Sequence, residues 1–328
     1  MRYSKFVEIY ESLAGTTKRL EKTTILSKAL KTFEGNEELI YLFRGKVFPD
    51  YDEREFGIST QLIIKALSKS AGVSDSNIVN RFKKIGDLGE IAEELVNKKA
   101  QSTLFSKTLT VDKVFDNLRK LVEITGKGSV DRKLSLVIEL LDSSGVEAKY
   151  IVRTLLNDLR VGVADGIMKD AIAEAYLEDP NAREIVESAY DRINDWAYVM
   201  RLSEKGKNAL EKVKVVPGKP MKVMLPVKIT ELSEAFRICG KPLAVEHKYD
   251  GFRVLINKEE NGNVSLFTRR LDNVTNQFPD IVESVKKNVS AKSFIIDTEA
   301  VGFDPKTKKY RPFEAISQRI KRKYDIDK

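Results

Sequence analysis

The sequence predicts a multi-domain fold, in which an all-α region over residues 1–212 is followed by an α/β region over residues 227–328. Helical periodicity runs through the first region, which contains no convincing strand pattern. Seven of the nine prolines lie beyond residue 212. Three of these prolines and a glycine fall within residues 213–226, so we interpret that segment as a linker, because such residues end a helical pattern.

The helices are predicted from the spacing of apolar residues. Leu134, Val137, Ile138 and Leu141 follow i, i+3, i+4, i+7 spacing, which places them on one face of a helix. Asp131, just ahead of them, is the predicted cap. Further helices are predicted over residues 60–68, 88–98, 111–123, 148–159, 168–176 and 182–202 and, in the second region, over residues 229–238 and 280–288.

Strands are predicted only in the second region. An Asn-Gly-Asn sequence at residues 261–263 lies between two apolar runs, and Asn-Gly in that position is the strongest short signal for a β-hairpin. Residues 294–301 have the pattern of a buried strand. Residues 243–248 are interpreted as another strand, which a turn at Asp250 and Gly251 ends.

The charge pattern favours a polyanionic partner. The chain of 328 residues carries a formal net charge of +8 and has a pI near 9.2. Residues 98–133 hold nine Lys or Arg against four Asp or Glu, and residues 306–328 hold nine against three. Such patches are typical of nucleic-acid-binding surfaces, although solvated helix faces are also often basic.

The composition argues against several other classes of protein. No apolar run approaches the length of about 18 residues that a membrane span needs, and the first residues lack a signal-peptide pattern. The single cysteine, Cys239, excludes an internal disulfide and fits a reducing compartment. With one cysteine and one histidine, a zinc site built from those residue types is excluded as well.

A lysine in a short polar motif is the most informative feature of the chain. The motif reads Glu246-x-Lys248-x-Asp250-Gly251-x-Arg253. Because side chains two apart on a strand face the same side, Glu246 and Lys248 are expected to lie on one surface. The motif resembles the active-site motif of the covalent nucleotidyltransferases, which are DNA ligases, RNA ligases and mRNA capping enzymes.

Three further segments strengthen this resemblance by their order and spacing. Residues 267–269 resemble the second motif block of the family. Asp297 and Glu299, which share one face of a predicted strand, resemble the third block. Residues 311–323 resemble the segment that follows in archaeal and eukaryotic-type ATP-dependent DNA ligases. In that family a helical DNA-binding domain precedes a nucleotidyltransferase domain with an ATP-grasp-like fold, so the resemblance covers essentially the whole chain.

The resemblance implies a reaction and roles for the motif residues. Lys248, once neutral, attacks the α-phosphate of ATP and retains AMP, which then passes to the 5′-phosphate of a DNA nick before the 3′-hydroxyl displaces it. Glu246 suits the adenine amine, whereas Arg253 and Arg269 suit phosphate and ribose. Glu299 suits a ribose hydroxyl or Mg²⁺, so ATP and Mg²⁺ are the implied cofactors.

Two glycine-containing loops in the helical region resemble the loops with which ligases grip the DNA backbone. They span residues 125–129 and 159–166. Glycine lets backbone N–H groups approach a phosphate closely, and a following helix start favours an anion. The alternative is that these glycines only cap helices. The candidate DNA-contacting residues are Lys127, Gly128, Ser129, Arg160 and Gly162.

The family contains further segments beyond the third block, including a Lys-x-Lys block and an OB-fold. The sequence at 321–323 fits Lys-x-Lys superficially but comes too early. We therefore interpret the chain as the DNA-binding domain plus the first part of the adenylylation domain, incomplete at its C-terminus. Such a fragment is expected to bind DNA and to ligate poorly or not at all.

Other readings of the sequence stay open. RNA ligases and capping enzymes usually begin their catalytic core nearer the N-terminus, whereas this motif starts at residue 246. An NAD-dependent ligase should have a nicotinamide-binding segment, which we do not recognise. A non-catalytic DNA-binding fragment is the remaining alternative.

The resemblance also sets expectations for partners and location. We expect a monomer without a membrane partner that acts on nicked double-stranded DNA in replication, repair or recombination. A sliding clamp is a further candidate partner. The expected location is the cytoplasm, with the nucleoid, for an archaeal source, and the nucleus for a eukaryotic one.

Overall fold

The computed structural model describes residues 1–33, 35–52, 54–98, 109–222, 226–320 and 322. Contacts divide the chain into two compact units. The first contains Met1–Tyr190 and Asp195–Lys212, and the second contains Asp191–Asn194 and Val213–Lys328. No helix in the described part of the chain is long and apolar enough to cross a membrane.

The described residues up to 212 form helices joined by short loops, which confirms the predicted helical first region. The α-helices are α1 (Tyr3–Ala14), α2 (Arg19–Leu30), α3 (Thr60–Ala71), α4 (Asp75–Ile85), α5 (Leu88–Asn97), α6 (Val111–Glu123), α7 (Ser129–Asp142), α8 (Ala148–Leu155), α9 (Asp165–Tyr176), α10 (Ala182–Ile193), α11 (Trp196–Ser203) and α12 (Lys207–Glu211), and Glu37–Arg44 form a 3₁₀ helix.

Two of the predicted helices are too long. The helix predicted over residues 148–159 ends at Leu155, because the chain soon turns through a left-handed residue, Asn157, with φ 56°. The helix predicted over residues 182–202 is two helices. They are separated at Asn194, with φ 50°, and Asp195 caps the second one by accepting a hydrogen bond from a backbone N–H of its first turn.

The predicted cap of α7 is also wrong, and several helices were not predicted individually. Asp131 lies inside the first turn of α7, whereas Gly128, with φ 75°, occupies the cap position. Helices α1, α2, α4 and α12 are absent from the predicted set. In α1 the signal was available, because Phe6, Tyr10 and Leu13 form a buried stripe at helical spacing.

Aromatic rings form the centre of the helical core. Phe6 packs against Tyr10 and Phe43, with ring centroids 4.9 and 5.0 Å apart, and Tyr10 packs against Tyr150 at 4.8 Å. The buried hydroxyl of Tyr10 donates to the carbonyl of Leu42 over 2.8 Å. These contacts join α1, the 3₁₀ helix and α8 around one apolar centre.

A buried carboxylate connects α5, α8 and the loop after α8. Asp87 is 4% exposed, and its Oδ1 caps α5 by accepting the N–H groups of Gly89 and Glu90 over 2.7 and 3.3 Å. Its Oδ2 accepts from Arg153 Nε and Nη2, over 3.1 and 2.6 Å, and from Arg160 Nη1 over 3.0 Å. Burial acts to raise the pKa of Asp87, but the hydrogen bonds and charge of Arg153 outweigh it and hold this pKa below its usual value.

The second unit contains both strands and helices. Its strands are β1 (Phe252–Lys258), β2 (Val264–Thr268), β3 (Phe294–Ala300), β4 (Gly302–Phe303) and β5 (Tyr310–Arg311), and its helices are α13 (Leu232–Cys239), α14 (Pro279–Asn288) and α15 (Glu314–Ile320), with a 3₁₀ turn at Thr275–Gln277. Strands β1, β2 and β3 form an antiparallel sheet in the order β2-β1-β3, and β4 pairs with β5. The pairing of β1 with β2 confirms the predicted hairpin.

One face of this sheet is apolar and packs against α14. Alternate residues of β1 and β2 supply it, namely Phe252, Val254, Ile256, Val264 and Leu266, together with Phe278 and Val285 from outside the sheet. The strand predicted at residues 294–301 forms, but the prediction that it is buried is wrong. Strand β3 is partly exposed along its length, and only β1 pairs with it in the described residues.

We predict that Asp87→Ala lowers the free energy of unfolding by about 3 kcal/mol, because it leaves the buried Arg153 guanidinium without its carboxylate and removes the cap of α5. Urea denaturation followed by circular dichroism measures this loss. Glu8→Ala, which breaks the exposed pair with Lys5, is the matched control and should leave stability nearly unchanged. Equal effects of the two substitutions would contradict the role of Asp87.

The Asp87 carboxylate should also make the free energy of unfolding depend on pH in the acid range. Because its pKa is lower in the folded chain than in the unfolded chain, Asp87 stabilises the fold above pH about 4, and this stabilisation is lost as the pH falls through the folded-state pKa. The stability difference between the wild-type chain and Asp87→Ala should therefore shrink below pH about 4. A difference that stays constant to pH 2 would be inconsistent with this carboxylate being ionised in the fold.

Candidate active site and nucleic-acid interface

Lys248 lies in an exposed segment without regular secondary structure, shortly before β1. Residues 243–248 form no strand, contrary to the prediction, because no neighbouring strand in the described part of the chain supplies ladder hydrogen bonds to them. The side chains of Glu246 and Lys248 are both exposed. The two side chains were predicted to share one face of a strand, but no strand places them on a common face.

The Asp-Gly turn that follows Lys248 is fixed at two points. Asp250 Oδ2 accepts a hydrogen bond from the backbone N–H of Phe313, just before α15, over 3.2 Å. A Cβ atom at Gly251 would lie 2.3 Å from the carbonyl oxygen of Ala300 and 3.0 Å from its carbonyl carbon. Only glycine permits this approach, so the motif contains glycine here because its backbone touches the end of β3.

Arg253 faces two carboxylates across the sheet. In the register of β1 with β3, Arg253 lies opposite Glu299, and Leu255 lies opposite Asp297. Since directly opposed residues face the same side, Asp297 and Glu299 share one face, as predicted. Arg253 Nε donates to both oxygens of Asp297 over 2.9 and 3.0 Å, and Nη2 donates to Oδ2. These hydrogen bonds raise the pKa of the Arg253 guanidinium, while its partial burial opposes the rise.

Arg269 lies near the same end of the hairpin. Val254 pairs with Thr268 in the β1–β2 register, so Arg253 and Arg269 each lie one residue beyond that pair. Arg269 is exposed in the turn after β2 and forms no ion pair with other described residues. Its guanidinium is therefore available to a ligand.

Two contacts of this region were not predicted from the sequence. One is the Arg253–Asp297 ion pair, for which the only sequence signal was the position of Asp297 two residues before Glu299. The other is an edge-to-face contact between Tyr249 and Tyr310, with ring centroids 6.0 Å apart. This contact joins the residue after Lys248 to β5.

In the loop at residues 125–129, the glycines shape the start of α7. Gly126 and Gly128 have φ of 80° and 75°, and the N–H of Ser129 donates to the Gly126 carbonyl over 3.1 Å. Gly128 occupies the cap position of α7, as the capping alternative has it, and Lys127 is exposed beside it. An exposed lysine next to a helix start remains compatible with phosphate contact.

In the loop at residues 159–166, Arg160 is not an unpaired cation. It has φ 58°, and its guanidinium donates to Asp158 over 2.8 Å from Nε and to Asp87 over 3.0 Å from Nη1. These hydrogen bonds of Arg160 therefore stabilise the conformation of the loop. Gly162, with φ 68°, follows it, and residues 159–166 line an open hollow of about 670 Å³ with Phe43 and Arg44.

Comparisons with known proteins find a matching family for the helical region and for the region that contains Lys248. Residues 2–173 match the family model described as DNA ligase N terminus, and residues 223–328 match the one described as ATP dependent DNA ligase domain. The chain belongs to the ATP-dependent DNA ligase family. The match decides against the RNA ligase and capping alternatives, and it contains the Lys248 motif and both glycine loops.

Archaeal DNA ligases are among the relatives. The chain is 40% identical over 331 residues to a DNA ligase of Nanoarchaeum equitans, with all of this chain covered. It is 41% identical to one of Methanosphaera stadtmanae, with 99% of this chain covered, and 42% identical to one of Thermococcus fumicolans, with 97% covered. The chain spans 58% of the length of each of these three ligases.

We predict that Gly251→Ala lowers the free energy of unfolding by about 3 kcal/mol, because the added methyl group meets backbone atoms of Ala300 that cannot rotate away. Gly262→Ala is the matched control. Its φ of 84° costs about 1 kcal/mol for a side chain, but nothing lies within 4 Å of the new atom. Thermal unfolding of both variants decides, and a Gly251→Ala variant as stable as Gly262→Ala would contradict the close contact.

Proposed function

We propose that the chain is the DNA-binding and adenylylating part of an ATP-dependent ligase that seals nicks in duplex DNA. Residues 1–212 are the proposed DNA-binding domain, residues 213–226 the linker and residues 227–328 the first part of an adenylylation domain with a nucleotidyltransferase fold. The observation that carries the proposal is the contact of Gly251 with β3, which ties the exposed Lys248 segment to the strand bearing Glu299.

In the proposed first step, the neutral amine of Lys248 attacks the α-phosphate of ATP. A P–N bond forms, the bond to pyrophosphate breaks, and the amine proton leaves to solvent. Lys248 forms no ion pair with other described residues, so no carboxylate competes with the nucleotide for its amine. Its exposed position also leaves space for a nucleotide.

The neighbouring side chains would bind and orient the nucleotide. Glu246 accepts a hydrogen bond from the adenine amine, which guanine lacks at that position. Arg253 uses Nε and Nη2 for Asp297, so its Nη1 hydrogens remain for ribose or phosphate. Arg269, which has no ion pair in the described residues, would contact a second oxygen of the phosphate chain.

Mg²⁺ fits this site as an ion held mainly by the nucleotide. The described residues contain no group of three or more His, Cys, Asp or Glu side chains that could hold a metal. Mg²⁺ usually retains several waters and takes one or two carboxylates together with substrate phosphates. Glu299 is exposed and would be that carboxylate, and the bound ion would neutralise charge on the phosphate oxygens.

The remaining two steps need DNA, which the helical unit would bind. The loops at residues 125–129 and 159–166 each precede a helix, and their glycines allow the backbone to approach a phosphate. AMP passes from Lys248 to the 5′-phosphate of the nick, and the 3′-hydroxyl then displaces AMP and joins the strand. Both transfers are in-line displacements, so their rates depend chiefly on how the groups are positioned.

We predict that incubation with ATP and Mg²⁺ adds one AMP to the wild-type chain and none to Lys248→Ala. Intact-mass spectrometry measures the addition. Lys292→Ala, which removes another exposed lysine of the same unit, is the control and should gain AMP like the wild type. GTP and NAD should leave the mass unchanged.

Two results would contradict this assignment. AMP on Lys248→Ala would show that another residue is the nucleophile. An unmodified wild-type chain that still binds nicked DNA would instead favour a non-catalytic DNA-binding fragment.

A further inference from the structure

Lys22 of α2 is a buried lysine that the reaction above does not use. Its side chain and backbone together are 8% exposed. The Nζ atom donates to the carbonyl of Leu13, at the end of α1, over 2.7 Å, and to the carbonyl of Val161 over 2.5 Å. No carboxylate in the described part of the chain pairs with it. A buried positive charge thus connects a helix end to the loop at residues 159–166.

The amine lies directly beneath the backbone of this loop. A Cβ atom at Gly162 would lie 2.7 Å from Lys22 Nζ, and Gly162 has φ 68°, where a side chain is strained in any case. Glycine therefore permits both the turn and the approach. The loop passes over the ammonium group with no side chain between them at this residue.

Lys22 is the middle one of three charged groups that hold the loop. Before it, Asp87 accepts from Arg160 over 3.0 Å, and after it, Arg44 forms an ion pair with Asp165 at the start of α9. Between these points, the N–H groups of residues 162–164 have no acceptor among the described residues. The loop is thus held by these charged contacts, while its own N–H donors remain unused within the described residues.

We infer that Lys22 is a positioning residue for DNA binding, which holds the 159–166 loop in the conformation that receives a backbone phosphate and places a positive charge beneath it. This inference rests on the proposed function, in which that loop contacts DNA. Carbonyl groups offset only part of the cost of burying an ammonium ion, so an anion above the loop is the group that would balance the remaining charge. Burial lowers the pKa of Lys22, and a nearby phosphate would oppose that change.

The test compares Lys22→Met, Lys22→Gln and a control, Lys258→Met. Lys258, in the second unit, also donates to a backbone carbonyl, that of Val289 over 3.0 Å. Lys258→Met therefore removes the same charge and the same kind of hydrogen bond as Lys22→Met. Affinity for a nicked duplex is measured by fluorescence anisotropy at fixed salt. Lys22→Met should bind about tenfold more weakly than the wild type, as expected when a hydrogen-bonded charge is lost, and Lys258→Met less than twofold.

Hydrogen exchange on the DNA-free chains gives a second, independent readout. The amides of residues 162–164 should exchange faster in Lys22→Met, whereas those at the end of α9 should not change. If Lys22→Met does not fold, Lys22→Gln, which keeps an N–H donor but no charge, is judged by the same criteria. A folded Lys22 variant with the affinity of Lys258→Met and wild-type exchange in the loop overturns the inference.

Failure of the proposed function is distinguishable from failure of this inference. A wild-type chain that does not bind nicked duplex at low salt contradicts the proposed DNA contact and, with it, the DNA-binding role of Lys22. In that case the exchange data still decide whether Lys22 holds the loop. Wild-type binding together with unaffected Lys22 variants overturns the inference alone.

Discussion

The contact between Gly251 and the backbone of Ala300 is the constraint on which the geometry of the candidate active site depends. The two backbones are too close for any side chain to fit between them. Because Gly251 directly precedes β1, the same contact sets where β1 begins and brings Arg253 opposite Glu299. The position of Lys248 relative to the carboxylates is thus fixed by backbone packing, although the lysine itself lies outside any strand.

In the helical unit, charged side chains hold the loops in addition to backbone contacts. One oxygen of Asp87 accepts from both Arg153 and Arg160, and Lys22 donates to two carbonyls from different segments. Removing Asp87 would leave the buried Arg153 guanidinium without the carboxylate to which it donates, and removing Lys22 would leave two carbonyls without their donor, so the arrangement is hard to distort. Rigidity of this kind would suit the proposed presentation of backbone N–H groups to DNA phosphates.

The sequence predicted the elements that are determined by interactions between residues close together in the chain. The helix over residues 111–123 and the hairpin at 261–263 were found because apolar spacing and Asn-Gly chemistry act within a few residues. The break at Asn194 was missed, since the apolar pattern continues across it. The Asp87 and Lys22 contacts join residues 66 and 139 positions apart, and a single sequence contains no signal for such pairs.

The two lysines that matter most to the proposed activity illustrate opposite chemical uses of one side chain. Lys22 is buried, and its amine donates hydrogen bonds to two carbonyls inside the protein, which fix its position. A nucleophile needs its lone pair free, and Lys248 lies exposed without ion pairs among the described residues. Environment therefore separates the lysine that would position the DNA-binding loop from the lysine that would react with ATP.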